Sequence, residues 1–426
     1  MTKSEVDVIV EHANELVTVA GGNDKPRIGT HMGNLGIIAD GAVAIRAGLI
    51  VAVGKTHQVE EEFAPKHIID ASRKTVMPGF VDPHTHPIFA GSREHELEMK
   101  IQGKTYLQIL ASGGGILKTV RDTRSASESE LLESSRINMD LMLKNGTTTV
   151  EAKSGYGLTV KDEIKCLNVM RRLGREHQIG LVPTFLGAHA IPLEYSGKTG
   201  DYVRLVIEEM IPRVAELKLA EFCDIACESG FFNVEQSREI LNSGKKAGLL
   251  PRLHADEFAP SGGAEVAAEV DAVSADHLVY SSEEGVRRIR QKGIIAVLLP
   301  AASFTLFMKE YAKARQMIDL GIPIALGTDY SPSSRNASQQ MTATLACYQL
   351  KMTPSECITA MTINAAHALR KAREVGSLEA GKKADLVILD MPNHDFLGYD
   401  CGNNLVTDVI KEGRPVVENC RINRMN

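Results

Sequence analysis

The hydrophobic positions of this chain follow two patterns, one in the middle and one at the two ends. From roughly residue 76 to 370, short apolar runs alternate with longer segments in which apolar residues recur at helical spacing. Eight such runs occur, at 76–82, 147–152, 180–187, 222–228, 250–254, 271–277, 294–299 and 322–328. Helices are predicted between most of them, at 161–175, 202–217, 234–247, 262–269, 282–291 and 309–320. Eight β–α units over about 300 residues predict a (β/α)8 TIM barrel.

Both ends of the chain instead show short β-like runs separated by Gly and Asp turns. Near the start these runs are 6–10, 37–46 and 49–53, with a hairpin turn near Ala47-Gly48. The same pattern returns at 384–390 and 406–417. We expect one small β-sandwich domain built from residues 1–75 plus 376–426, around a barrel of residues 76–375. Two separate terminal modules are the alternative.

A doubly wound open sheet is the rival architecture for the middle of the chain. It is disfavoured because no G-x-G-x-x-G motif follows an early strand. The insertion at 87–146 contains Gly113-Gly114-Gly115, which we interpret as a turn or hinge rather than a phosphate-binding loop.

Charge and composition exclude several classes of function. The 426 residues carry a net charge of -6, so no strong basic field exists to bind nucleic acid or an anionic membrane. The seven Cys form no C-x-x-C pair and are expected to be reduced thiols. The sequence contains no signal-peptide core and no run of about 18 apolar residues. We therefore expect a cytoplasmic protein with a small-molecule substrate.

Polar residues that can bind a metal stand where the apolar runs end. In a TIM barrel, the C-terminal ends of the strands meet at one face and carry the chemistry. His84 and His86 close the first run two residues apart, so both imidazoles point to one face of the strand. His254 closes the fifth run and Asp329 follows the eighth. The pattern predicts one zinc-like or iron-like ion held by these four residues, whereas surface histidines would be the usual alternative for H-x-H alone.

Further strand-end residues suggest the rest of the chemistry. Glu257 lies three residues after His254 and is predicted to move protons as general acid and base, the alternative being a surface carboxylate. His277 closes the sixth run and could donate a hydrogen bond to a developing oxyanion, or satisfy a loop carbonyl. For His189, which follows the third run, position alone supports a functional and a structural role equally.

The number of metal ions follows from the second and fourth runs. A lysine that bridges two metals should close the fourth run, but that run ends in Glu228. Lys153 closes the second run and is interpreted as a structural or substrate-shell group. One ion per chain is therefore predicted. Such an ion lowers the pKa of its water to roughly 7, and Asp329 could accept the proton released on attack, which predicts a hydrolase.

These residues resemble known motifs of the amidohydrolase superfamily, most closely of the imidazolonepropionase family. The segment Pro78–His86 looks like the opening strand of that superfamily, and His254, Glu257, His277 and Asp329 resemble its mononuclear branch. The closer similarity to imidazolonepropionases extends from about residue 30 to about residue 415. It is carried by the segments Phe89–Glu94, Lys153–Leu158, Phe185–His189, His254–Glu257 and Ser274–Leu278.

The resemblance implies an activity and a set of residue roles. That family opens the ring of 4-imidazolone-5-propanoate with water to give N-formimidoyl-L-glutamate in histidine degradation, with Zn or Fe bound. By carry-over, Arg93, Tyr156 and His189 would bind the substrate, and the Arg93 fork suits its carboxylate. Glu257 would contact the ring and move protons, and His277 would polarise the carbonyl. A homodimer is also implied.

One segment departs from the pattern of the family. After the last metal Asp, the family usually reads Asn-Pro-Gly-Ser/Thr, whereas this chain has Ser331 for the Asn and Ser333 for the Gly. The grip on the propanoate tail is altered, and Ser334 or Arg335 could compensate. A hydrolase or deaminase of another small heterocycle therefore remains an alternative. A non-catalytic scaffold is disfavoured because the ligand set is complete.

Overall fold

Eight parallel strands form the barrel, one from each predicted run. The computed structural model describes residues 3–105, 108–109 and 112–423. Each barrel strand pairs with the next along the chain. The barrel strands are β6 (Phe80–Asp82), β7 (Thr147–Lys153), β8 (Gly180–Ala188), β9 (Phe222–Cys227), β10 (Leu250–Ala255), β11 (Ser274–His277), β12 (Ile295–Leu298) and β13 (Ile324–Leu326). The predicted barrel is confirmed, and apolar side chains of its strands, such as Val150, Ile225 and Leu253, belong to the main buried core.

The seam between the first and last barrel strands closes just beyond their ends. The backbone N–H of Asp329 donates to the carbonyl of His84 at 3.1 Å, and that of His86 donates to the carbonyl of Tyr330 at 2.8 Å. Thr85 and Tyr330 form a parallel bridge between these hydrogen bonds. The segments that close the seam are therefore the same segments that carry predicted metal ligands.

A second sheet is built from both ends of the chain, as predicted. Its strands before the barrel are β1 (Ser4–Val17), β2 (Ile37–Arg46), β3 (Leu49–Lys55), β4 (Phe63–Asp70) and β5 (Thr75–Pro78). Its strands after the barrel are β14 (Leu386–Leu389), β15 (Val406–Lys411), β16 (Arg414–Glu418) and β17 (Arg421–Ile422). Strand β5 joins the two groups because it pairs with β1 and β14. Val10, Leu16, Ile45 and Ile388 contribute to the apolar core of this domain.

The first predicted run divides between the two sheets. Residues 75–78 lie in the terminal sheet and only residues 80–82 lie in the barrel. The change falls at Gly79, where an added Cβ would lie 2.3 Å from Cγ2 of Thr148, so a larger residue would not fit there. The division of the chain into domains at 75/76 and 375/376 stays a prediction.

The first helix packs on β2 and β3 of the terminal sheet, and the later helices belong to the barrel region. Within the described residues the helices are α1 (Thr56–Glu62), α2 (Glu96–Ile101), α3 (Gly115–Ser125), α4 (Glu128–Lys144), α5 (Val160–Glu176), α6 (Thr199–Leu205), α7 (Ile211–Glu216), α8 (Val234–Lys246), α9 (Gly263–Glu269), α10 (Glu283–Lys292), α11 (Pro300–Thr305), α12 (Ala314–Asp319), α13 (Gln339–Leu350), α14 (Pro354–Ala360) and α15 (Ile363–Ala368). Several begin at side chains that cap the first turn, such as Asn233 before α8 and Ser282 before α10. In the described part of the chain, no helix has both the length and the apolar character that a membrane crossing requires.

Candidate active site

The four predicted metal ligands converge at the C-terminal end of the barrel. Nε2 of His86 lies 3.3 Å from Nε2 of His84 and 3.4 Å from Nε2 of His254. Oδ1 of Asp329 lies 3.5 Å from Nε2 of His84 and 3.4 Å from Nε2 of His86. All four residues are buried. The strand-end pattern therefore brings together side chains that are far apart in the sequence, since His84 and Asp329 are separated by 245 positions.

The backbone at two site residues is held in an uncommon conformation. Asp329 has φ 48° and His277 has φ 73°, both in the left-handed region that non-glycine residues rarely adopt. Hydrogen bonds on both sides of the seam hold Asp329 there, because its N–H donates to His84 while Thr328 donates to Asp82 through N–H and Oγ1. Strained conformations of this kind occur preferentially at functional sites.

The donor atoms fit a bound cation. Nδ1 of His84 donates to Oδ2 of Asp276 at 2.6 Å, and Nδ1 of His254 donates to Oδ1 of Asp224 at 3.1 Å. With a proton on Nδ1, each neutral ring presents the lone pair of Nε2 to the other ligands. Burial lowers the pKa of His84 and of His86 well below the ordinary value, which keeps both rings neutral. Converging lone pairs and a carboxylate are a donor set that suits a bound metal cation.

A histidine and a glutamate lie paired beside these predicted ligands. Nδ1 of His277 is 3.6 Å from Oε1 of Glu257, and Nε2 of His277 is buried with no partner among the described residues. Burial, with the nearby Asp329 and Glu228 carboxylates, raises the pKa of Glu257 well above its ordinary value. Burial also lowers the pKa of His277 to about 3. The raised pKa favours the protonated form of Glu257, and the neutral ring of His277 can donate a hydrogen bond.

Glu228 fixes the loop that carries Glu257. Its carboxylate accepts hydrogen bonds from the backbone N–H groups of Glu257 and Phe258, the second at 3.3 Å, and from Oγ of Ser261 at 3.2 Å. Burial raises the pKa of Glu228 to about 7. Glu228, which follows the fourth barrel strand, thus holds this loop in place and also lines the pocket.

The pocket over these groups contains the predicted substrate-binding residues Arg93, Tyr156 and His189. The His189 ring stacks on His86 with centroids 4.9 Å apart and planes 12° apart. Arg93 is buried and forms a bidentate pair with Glu96, at 2.9 Å from Nε and 2.8 Å from a terminal nitrogen. Glu96 therefore orients the guanidinium at the pocket wall.

Residues 331–335, the segment that differs from the family pattern, place two serines at the pocket, whereas Ser334 and Arg335 do not line it. Ser331 and Ser333 line the pocket, with their hydroxyl oxygens 3.1 Å apart. Ser334 is not among the lining residues, and its buried hydroxyl has no partner among the described residues. The guanidinium of Arg335 lies over the rings of Phe89 and Tyr330, at 5.7 and 5.5 Å. The roles predicted for the site residues remain predictions.

Sequence reasoning missed the carboxylates behind the ligands. Asp224 stands inside the fourth apolar run, and Asp276 stands inside the sixth, directly before His277. A charged residue within a run that is otherwise apolar was the available signal, because a fully buried charge needs a partner.

The fold and the site define a hydrolase of the amidohydrolase class. A model of the amidohydrolase family matches residues 236–416. Solved structures agree on the fold. An adenosine deaminase from Xanthomonas campestris with bound zinc has a TM-score of 0.71 at 20% identity, covering 100% of this chain and 96% of that one. A 5-methylcytosine deaminase from Klebsiella pneumoniae has a TM-score of 0.73 at 17% identity, covering 96% and 98%.

Relatives with higher sequence identity identify the family within this class. An imidazolonepropionase from Geobacillus sp. (strain WCH70) is 49% identical over 420 residues, which is 97% of this chain and 99% of that protein. An imidazolonepropionase from Alkaliphilus metalliredigens (strain QYMF) is 49% identical over 98% of this chain and 99% of its own length. The chain belongs to the imidazolonepropionase family, which confirms the resemblance inferred from its motifs.

Proposed function

We propose that this enzyme opens the ring of 4-imidazolone-5-propanoate with water to give N-formimidoyl-L-glutamate, a step of histidine degradation. The observation that carries the proposal is the similarity to imidazolonepropionases over nearly the full length of both chains. The geometry supports it, because His86, His254 and Asp329 line one pocket together with Glu257, His277 and the buried Arg93.

One Zn or Fe ion per chain would be held by His84, His86, His254 and Asp329. When bound, such an ion supplies Lewis-acid activation of water at neutral pH. The support is the donor set itself, in which three imidazoles and one carboxylate face each other. Elemental analysis of purified protein tests the stoichiometry, with one ion per chain expected, and identifies the metal.

The side chains around this ligand set would move the protons. His277 would donate from Nε2 to the carbonyl oxygen of the ring as negative charge develops there. Glu257 would transfer a proton to the ring nitrogen as its bond to the carbonyl carbon breaks, and Asp329 would accept the proton released from water. Their positions support these roles, because all three line one pocket.

The remaining pocket residues would hold the substrate. Arg93, oriented by Glu96, would bind the propanoate carboxylate, while Tyr156 and His189 would contact the ring. In the departing segment, Ser334 was predicted as a substrate contact. That contact would require its hydroxyl to reach the pocket, whereas Ser331 and Ser333 already line it.

The test follows the ultraviolet absorbance of freshly prepared 4-imidazolone-5-propanoate. Rapid loss with metal-loaded enzyme, abolished in an Asp329→Asn variant, is the expected result. No loss from protein that contains its metal would overturn the substrate assignment. Release of ammonia would instead indicate deamination of another heterocycle, since opening this ring frees none.

The assembly and cell compartment are also part of the proposal. A homodimer is expected, because two-fold symmetric dimers are the commonest oligomers and the family resemblance implies one. Sedimentation of the metal-loaded protein tests this, and a monomer at micromolar concentration would contradict it. A cytoplasmic location is expected for this step, and cell fractionation tests it.

A further inference from the structure

A closed group of five charged side chains lies directly beneath the candidate metal site. All five are fully buried, with no exposed surface. They are the carboxylates of Glu151, Asp224 and Asp276 and the cations of Lys153 and Arg252. Desolvating charges is costly unless each is paired, so an arrangement of this size requires an explanation. We call it the charged cluster.

Lys153 and Arg252 connect the three carboxylates. Nζ of Lys153 donates to Oδ2 of Asp224 at 2.6 Å and to Oε1 of Glu151 at 2.8 Å. A terminal nitrogen of Arg252 donates to Oδ2 of Asp276 at 2.9 Å, and its other terminal nitrogen lies 3.4 Å from Oε1 of Glu151. Glu151 thus lies between the two cations.

The hydrogen bonds that link the charged cluster to the site end on predicted metal ligands or on residues next to one. Asp224 and Asp276 accept the Nδ1 protons of His254 and His84. Arg252 also donates to the carbonyl of Pro83 at 2.7 Å, and Oε2 of Glu151 accepts the N–H of Thr85 at 3.2 Å. The cluster therefore holds two ligand rings by their far nitrogens and holds the backbone on either side of His84.

We infer that Lys153 is a positioning residue that acts through Asp224 and, with Arg252 and Asp276, fixes His84 and His254 for metal binding. A carboxylate behind a ligating histidine sets its tautomer, its ring orientation and its basicity. Lys153 holds the second oxygen of Asp224, whereas Arg252 donates to the oxygen of Asp276 that accepts from His84, and Oγ of Ser274 donates to the other oxygen of Asp276 at 2.7 Å. Without these partners, either carboxylate would be free to rotate away from its histidine. The charge balance agrees, because three carboxylates and two cations leave one negative charge behind the ligands.

Metal affinity is the direct readout, and it needs no substrate. This inference rests on the proposed metal site. Protein stripped of metal is titrated with Zn²⁺ against a chromophoric chelator, for the parent, Asp224→Asn, Asp276→Asn, Lys153→Met and the double variant Lys153→Met/Asp224→Asn. A loss of roughly 10- to 100-fold in affinity is expected for each Asn variant, as for other residues behind metal ligands. The double variant should lose no more than Asp224→Asn alone, because the lysine acts through that aspartate.

A matched control separates positioning from general damage to a buried ion pair. Asp385 pairs with Lys411 in the terminal sheet at 2.6 Å, and both side chains are buried. Asp385→Asn should lower the melting temperature while leaving Zn²⁺ affinity unchanged. The visible spectrum of the Co²⁺-loaded protein gives a second readout, and its bands should change in Asp224→Asn, Asp276→Asn, Lys153→Met and the double variant, but not in Asp385→Asn.

The outcomes decide the inference. Folded Asn variants with affinity within twofold of the parent would overturn it, and so would additive losses in the double variant. Parental Zn²⁺ affinity in folded Lys153→Met would overturn it as well; if that variant does not fold, Lys153→Gln, which removes the charge but keeps a polar side chain, is titrated in its place. A parent protein that binds no Zn²⁺ would instead refute the proposed metal site.

Discussion

Gly155 can be tested as the residue that sets the position of His189. It belongs to the Lys153–Leu158 motif and has φ +105°, a conformation that residues with a side chain rarely adopt. An added Cβ would lie 2.8 Å from the carbonyl oxygen of Leu186 and 2.9 Å from Nδ1 of His189. The Gly155→Ala change therefore forces His189 away from the Gly155 carbonyl to which its Nδ1 is hydrogen-bonded at 3.2 Å.

Two costs follow, and they act on different measurements. The backbone strain should lower the free energy of unfolding by about 1–3 kcal/mol. Displacing His189 breaks its stack on His86 and removes its proposed contact with the substrate. A hydrogen bond to a charged or polarised group contributes about 1.5–3 kcal/mol, which corresponds to a fall of roughly 10- to 150-fold in kcat/KM.

Gly248→Ala is the matched control. Gly248 has φ +89°, nothing lies within 4 Å of an added Cβ, and the residue precedes β10 at the end of the barrel opposite the site. Both variants should lose stability in urea titrations, and only Gly155→Ala should lose kcat/KM in the absorbance assay. Equal kcat/KM values for the two variants, within twofold, would refute the reasoning.

Three further predictions concern the pocket, the loop anchor and the metal. Arg93→Lys should raise KM about tenfold with less effect on kcat, because an ammonium group cannot form the paired hydrogen bonds of a guanidinium; an unchanged KM in steady-state kinetics would contradict this. Glu228 has its pKa raised from 4.5 to about 7, so its contribution to stability is fully present below 4.5 and is lost as pH rises through about 7. Between about pH 5 and pH 9, unfolding free energy should therefore fall by about 2–3 kcal/mol more in the parent than in Glu228→Gln, and equal falls would count against it. Treatment with a strong chelator should abolish activity and lower the melting temperature, and Zn²⁺ or Fe²⁺ should restore both; full activity without metal would exclude the proposed mechanism.

The barrel and the ligand set could be predicted because both follow local rules. Period-2 spacing places His84 and His86 on one face of a strand, and the barrel geometry brings His254 and Asp329 to the same end. The hairpin that turns at Ala47-Gly48 was likewise readable from its turn residues.

The rest depends on pairings between distant segments, which a single sequence does not encode locally. The ion pair between Lys153 and Asp224 is one example, because the sequence of neither strand indicates which residue of the other strand it will contact. The division of the first run at Gly79 depends on how closely Thr148 approaches. The predicted contact of Ser334 depends on a rotamer and a turn, and the structure directs Ser331 and Ser333 to the pocket instead.

The seam of the barrel has a consequence for how the enzyme is made. Asp82 and Thr328, which hydrogen-bond across the seam, are 246 residues apart. The barrel can therefore close only after its last strand has been synthesised. The three histidines leave the ribosome well before Asp329 does. A nascent or truncated chain that ends before Asp329 lacks both the closing bridge and the predicted fourth ligand. We therefore expect fragments from translation that is interrupted before this point to be inert.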